Sequence, residues 1–170
     1  MFNFLMLISL LSHFDQSSLI GRKLPPYTMQ VIYGEERGKL HCYVCEHADK
    51  EGLILFGKSS QPITAIWKDL QPEVKSRPNF KSWVTILKTE GDKDKELLSW
   101  GESSSGLLAV GRFEDEAGPP AYGYKSEDEV LVVYFREGKI VQEFRATKGK
   151  SLDAKVVLDF LKKQSSSSGK

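Results

Sequence analysis

Residues 39–57 read KLHCYVCEHADKEGLILFG. This stretch holds both cysteines of the chain, Cys42 and Cys45, and two of its three histidines. Thiols and imidazoles are the side chains best suited to redox chemistry or soft-metal binding at neutral pH. The apolar run that follows, residues 52–57, is short, continuous and bounded by glycines, which is typical of a strand buried on both faces. We therefore expect a core strand with the cysteine pair immediately before it.

Segments on both sides of this strand predict an alternation of strands and helices. Residues 28–44 predict a hairpin whose second strand ends at the cysteine pair. After the core strand, apolar residues recur at three- and four-residue spacing from Ile63 to Val74, as in a helix with one buried face. The remaining predicted elements are, in order, a strand over residues 82–89, a weaker helix after Gly91, a short strand over 107–111, a hairpin over 130–144 and a helix that starts at Ser151. A strand, a helix and a second strand favour a parallel pair with a right-handed crossover.

The order of these elements resembles that of the thioredoxin fold. Residues 130–139 (VLVVYFREGK) are similar to the late hairpin of thioredoxins, in which an apolar strand ends in an aromatic residue, a charged turn and a glycine. The resemblance covers residues 52–161. It implies a thioredoxin-like α/β domain with a mixed central sheet flanked by helices, to which this chain adds an N-terminal β-hairpin.

A narrower resemblance depends on two motifs. Cys-Tyr-Val-Cys stands ahead of the first core strand, and residues 117–122 read Ala-Gly-Pro-Pro-Ala-Tyr. Both features are similar to a group of thioredoxin-like, or redoxin-like, proteins of planctomycete-type bacteria. This second resemblance implies the same fold but indicates little about the reaction or the catalytic residues.

Two departures separate the sequence from active thioredoxins. In that family a Cys-x-x-Cys follows the first core strand and opens the first long helix, where the partial charge of the helix end stabilises the thiolate. Residues 58–61 occupy that position here and read Lys-Ser-Ser-Gln. The family also places a cis-proline beside its reactive cysteines, and the matching position, close to Val130, has no proline. The catalytic residues of thioredoxin therefore cannot be assigned to this chain residue by residue.

Cys42 and Cys45 are the candidate catalytic residues, as a dithiol that cycles between thiol and disulfide. Lys39, His41 or His47 would then supply the charge that stabilises the attacking thiolate. The leading hypothesis is a thiol-disulfide redox or redox-sensing protein. It would exchange with protein thiols or disulfides, and its sequence indicates no cofactor.

Two other interpretations of the cysteine pair stay open. The pair could be a structural disulfide in a thioredoxin-like domain that binds partners without catalysis, because a fold does not imply a function. It could also belong to a small zinc-binding module made of Cys42, Cys45, His47 and a distant ligand. His41 does not fit that set, because neighbouring residues of a strand point to opposite faces.

Composition limits the remaining choices of partner. The formal net charge is +1 over 170 residues, so the chain lacks the basic footprint typical of a nucleic-acid binder. This length suits one domain with a full core. No nucleic-acid partner is therefore expected.

The N-terminus leaves the compartment open. Residues 2–11 are apolar over the length of a signal-peptide core, but a segment that spans a bilayer needs about 20 apolar residues. No Lys or Arg precedes Arg22, and no clean cleavage site follows. The protein is periplasmic or secreted if this segment is a signal peptide, and cytoplasmic otherwise. We expect the candidate signal peptide and a linker over residues 1–27, the thioredoxin-like domain over 28–163 and a disordered tail over 164–170.

Overall fold

The computed structural model describes residues 18–87 and 93–167. Its elements are β1 (Met29–Gly34), β2 (Leu40–His41), α1 (Tyr43–His47), β3 (Glu51–Gly57), α2 (Ser60–Lys75), β4 (Phe80–Leu87), α3 (Asp94–Ser103), β5 (Ala109–Phe113), a 3-10 turn (Pro120–Tyr122), β6 (Asp128–Arg136), β7 (Lys139–Thr147) and α4 (Ala154–Ser167). The predicted order of strands and helices is confirmed. The short helix α1 is an addition that the sequence pattern did not predict.

The strands of the described residues make one mixed sheet, in the order β2-β1-β5-β4-β3-β6-β7. Strands β3, β4 and β5 run parallel to one another. Strand β6 is antiparallel to β3, and β1 is antiparallel to β5. Strand β3 pairs with a neighbour on each side over its whole length. Core residues cover both of its faces, which explains its continuous apolar sequence. The N-terminal hairpin forms one edge of the sheet and β7 forms the other.

Successive side chains of β3 point into two separate core layers. Leu53 and Leu55 pack under α2, α3 and α4, whereas Ile54 and Phe56 face the side of the sheet that carries α1. We call this second layer the α1-side core. It consists of Leu19, Leu24, Met29, Val31, Tyr43, Val44, Ile54, Phe56, Trp83, Leu87, Ala109, Tyr122, Tyr124, Leu131, Val133, Phe135 and Ile140.

Part of the predicted linker packs on the domain. Leu19 and Leu24 are buried in the α1-side core. The Gly21 N–H donates to the Ile140 carbonyl at 2.7 Å, and the Leu24 N–H donates to the Gly138 carbonyl at 2.8 Å. The segment thereby covers part of the edge of β7, whose backbone groups need partners.

The C-terminal helix also differs from expectation, since α4 runs to Ser167, inside the predicted tail. The domain limits of residues 28 and 163 stay a prediction. The apolar segment 2–11 lies outside the described residues. Across the residues that are described, none of the helices has both the length and the apolar character needed to cross a membrane.

Candidate functional site

The two cysteines form a disulfide at the junction of β2 and α1. The sulfur atoms are 2.03 Å apart and the Cα atoms 5.3 Å apart. The sequence predicted that the pair would end a strand, but only Leu40–His41 is extended, and Cys42 is the N-cap residue of α1. One helical turn brings residues three apart onto the same side, so the helix places Cys45 directly beside Cys42.

Helix α1 is held against the sheet by its buried face. Tyr43 and Val44 are both buried in the α1-side core. The Tyr43 ring lies 4.5 Å from the His41 ring and 5.8 Å from the Trp83 ring, measured between centroids. Burial raises the pKa of Tyr43 to about 12, and the nearby carboxylates of Glu36 and Glu46 act in the same direction. The anchored tyrosine fixes the orientation of the helix and therefore of the disulfide.

The two cysteines differ in their environment. Cys42 is half-buried and packs against the α1-side core, whereas Cys45 is exposed. The Cys45 N–H lies 3.1 Å from the Cys42 carbonyl oxygen and 3.2 Å from the Cys42 Sγ, to which it donates a hydrogen bond. Cys45 is thus the more exposed half of the disulfide, and Cys42 is the less exposed half.

Glu46 lies between the two histidines of the site. Its Oε1 is 3.2 Å from His41 Nε2, and its Oε2 is 3.7 Å from His47 Nε2. Partial burial lowers the pKa of His47, and the positive charge of Lys81 lowers it further. A neutral His47 offers no positive charge to a thiolate at pH 7. Glu46 was not among the predicted site residues, although its position directly after Cys45 and before His47 was a usable signal.

Lys39 does not approach the cysteines through an observed contact. Its ammonium group pairs with Glu36 at 2.8 Å. Lys39 was one of three residues predicted to stabilise the thiolate with positive charge. Its charge is instead paired with Glu36. The hydrogen bond observed at a cysteine sulfur is the one that the Cys45 N–H donates to Cys42 Sγ.

The zinc interpretation gains no support from the described residues. Within residues 18–87 and 93–167, no group of three His, Cys, Asp or Glu side chains is arranged to hold a metal ion. The two sulfurs are bonded to each other, whereas zinc binds cysteine as a thiolate.

The position where thioredoxins carry their cysteines lies at the far end of β3. Helix α2 starts there, after Gly57, while the disulfide precedes Glu51. A strand of this length spans about 20 Å. The Lys58 ammonium donates to the Ser126 carbonyl and lies 5.8 Å from the centre of the Tyr124 ring. The site of this protein and the thioredoxin position are therefore at opposite ends of the central strand.

A buried carboxylate, that of Asp128, lies close to Val130, the position that matches the cis-proline of thioredoxins. Asp128 is buried, accepts a hydrogen bond from the Lys125 N–H at 2.8 Å and pairs with Arg145. Asp128 and Arg145 are far apart in sequence, in β6 and β7, so no local pattern predicted this pair. The described residues contain no cis peptide bond.

Comparison with known proteins supports the fold. No family model matches the sequence, and no curated protein matches it either. A thiol-disulfide oxidoreductase from Bacteroides fragilis has a similar structure, with a TM-score of 0.59 at 16% identity over 84% of this chain and 99% of that one. A secreted disulfide oxidoreductase from Mycobacterium tuberculosis gives 0.58 at 8% identity, over 79% and 93%.

A third similar structure is the 2-Cys peroxiredoxin of Plasmodium vivax, with a TM-score of 0.58 at 12% identity over 85% of this chain and 81% of that one. At identities this low, structural similarity shows a shared backbone fold but does not show a shared chemistry. The chain has the thioredoxin-like α/β fold that its sequence predicted.

Proposed function

We propose that this protein is a thiol-disulfide redox or redox-sensing protein whose reversible couple is Cys42 and Cys45. The observation that carries the proposal is the disulfide between them, with one of its two cysteines exposed to solvent. A partner thiolate can attack an exposed disulfide sulfur and form a mixed disulfide, which a second thiol then resolves. Protein dithiols and disulfides are the proposed partners.

The proposed couple works at a different place from that of thioredoxin. It lies at the Glu51 end of β3, and residues 58–61 carry no cysteine at the other end. Burial of Tyr43 and Val44 fixes α1 on the sheet, and α1 with its N-cap residue supplies the redox pair. We also propose membership of the planctomycete-type group, which the Cys-Tyr-Val-Cys motif ahead of β3 supports.

The decisive experiment is a redox titration of the purified protein in glutathione buffers. The state of Cys42 and Cys45 is read by mass spectrometry after alkylation of free thiols. We expect a midpoint between about −270 and −120 mV, the span of known dithiol catalysts. Cys42→Ala and Cys45→Ala should each abolish disulfide reductase activity, while Ser59→Ala, at the vacant thioredoxin position, serves as the matched control. Activity that survives loss of either cysteine contradicts the proposal.

A second candidate function follows from the anchoring of α1. The disulfide joins the end of β2 to a helix whose Tyr43 and Val44 are buried, so it could be a structural clamp in a binding domain without catalysis. In that case the pair stays oxidised below about −300 mV, as structural disulfides do. The same titration therefore separates the two functions. Metal analysis of protein purified without added zinc tests the zinc-binding alternative.

A further inference from the structure

The fold makes the two sulfurs of the disulfide unequal. Cys45 is exposed, and the residue that follows it, Glu46, is also exposed. Cys42 is half-buried, with the α1-side core behind it. A partner protein that approaches from solvent therefore meets the sulfur of Cys45 first.

We propose that Cys45 is the sulfur attacked by partner thiolates and that Cys42 is the leaving group. This inference rests on the proposed redox function and adds the direction of the exchange. The second cysteine of the motif, instead of the first, thus forms the mixed disulfide with the partner.

The partner thiolate donates an electron pair to Cys45 Sγ, a new S–S bond forms between partner and Cys45, and the Cys42–Cys45 bond breaks. The electron pair of the broken bond stays on Cys42 Sγ as a thiolate. A second thiol of the partner, as its thiolate, then attacks the partner sulfur of the mixed disulfide. The products are an oxidised partner and a reduced Cys42/Cys45 dithiol.

The contacts of Cys42 favour it as the leaving group. The Cys45 N–H already donates to Cys42 Sγ at 3.2 Å, and a hydrogen bond to an ionised acceptor is stronger than one to a neutral acceptor. Negative charge that develops on Cys42 is therefore stabilised by a donor that is in place before the reaction.

Cys45 Sγ has no such donor: among the described residues, no hydrogen bond to this sulfur is observed. A thiolate on Cys45 would therefore lack the stabilisation that Cys42 receives. Exposure and this hydrogen bond thus assign the attacked position to Cys45 and the leaving position to Cys42.

The test uses oxidised wild-type protein and reduced glutathione as the probe nucleophile. Samples are quenched with acidic N-ethylmaleimide at short times, and the two modifications are mapped by tandem mass spectrometry. We expect glutathione on Cys45 and maleimide on Cys42 in at least a tenfold excess over the reverse pattern. The same reaction in denaturing urea is the control, where the two patterns should approach equality because the fold no longer shields Cys42.

Single-cysteine variants give an independent measurement. The Cys42 thiol of reduced Cys45→Ser should have a lower pKa than the Cys45 thiol of reduced Cys42→Ser, because the thiol with the lower pKa is the better leaving group. Ultraviolet thiolate absorbance as a function of pH measures both pKa values, and far-ultraviolet circular dichroism checks that both variants are folded. Glutathione found equally on both cysteines, or mainly on Cys42, overturns the assignment while leaving the redox function intact. A disulfide that glutathione does not reduce at all overturns the function and the assignment together.

Discussion

Among the residues of the site that titrate near neutral pH, His47 has a pKa that the fold lowers. Burial, its largest influence, and then Lys81 lower its pKa, while the carboxylates of Glu46 and Asp49 act in the opposite direction with smaller effect. A histidine whose pKa is lower in the folded state binds fewer protons there than in the unfolded chain. Its contribution to stability is therefore present above the unfolded pKa, about 6.5, and is lost as the pH falls towards the folded pKa.

We predict that acidification weakens the wild-type protein more than a variant without this imidazole. Urea unfolding is measured at pH 7.5 and pH 5 for the wild type and for His47→Gln, which cannot gain the proton. Between pH 7.5 and pH 5, the free energy of unfolding should fall more for the wild type than for His47→Gln. A difference that is the same at both pH values would show that His47 titrates alike in the folded and unfolded chain.

For the cysteine pair, some properties could be predicted from the sequence and others could not. Its identity as the candidate site followed from residue type alone, since Cys42 and Cys45 are the only cysteines. The difference in exposure between them did not. It depends on the packing of Tyr43 against Trp83, which comes from β4, and no periodicity within residues 39–47 encodes that contact.

At the scale of the element, α1 owes its existence to tertiary contacts. An isolated helix shorter than about 12 residues is marginal in water, and α1 spans only Tyr43–His47. Burial of Tyr43 and Val44 and the disulfide replace the missing intrinsic stability. This explains why helical periodicity failed to predict the element and why a strand was expected in its place.

We predict that Tyr43→Ala lowers the free energy of unfolding by about 3 kcal/mol, as loss of a buried aromatic ring typically does. Urea unfolding measures the loss. Because α1 would then no longer be fixed, the preference of glutathione for Cys45 should also fall. Leu40→Ala is the matched control: Leu40 is 75% exposed two residues before Cys42, so its change should stay within about 0.5 kcal/mol. Full stability in Tyr43→Ala would refute the anchoring role.

At the scale of the whole molecule, the fold was predictable because each of its signals is local. The glycine-bounded run of β3 and the VLVVYFREGK segment of β6 and β7 each carry their own pattern, and their order determines the topology. The position of the disulfide relative to the sheet could not be predicted from local signals. That the disulfide lies at the opposite end of β3 from Lys58 follows from how α1 and the N-terminal hairpin dock, which depends on contacts between segments far apart in sequence.

The stability of the reduced molecule distinguishes a working couple from a clamp. The disulfide closes a ring of only four residues, so the loss of unfolded-state entropy is worth about 2 kcal/mol. We predict that reduction leaves the fold intact and costs no more than this, a fall of about 4–8 °C in Tm for a chain of this size. The hydrogen bond that Cys42 keeps from the Cys45 N–H should reduce the cost further.

Thermal unfolding with and without a phosphine reductant, followed by near-ultraviolet circular dichroism, measures this difference. The Cys42→Ser/Cys45→Ser double variant is the control. Its Tm should be close to that of the reduced wild type and should not change when the reductant is added. A reduced form more stable than the oxidised one would mark a strongly oxidising couple, because the folded state then favours the dithiol. Loss of all tertiary signal on reduction would instead mean that the fold depends on the disulfide, as a structural clamp requires.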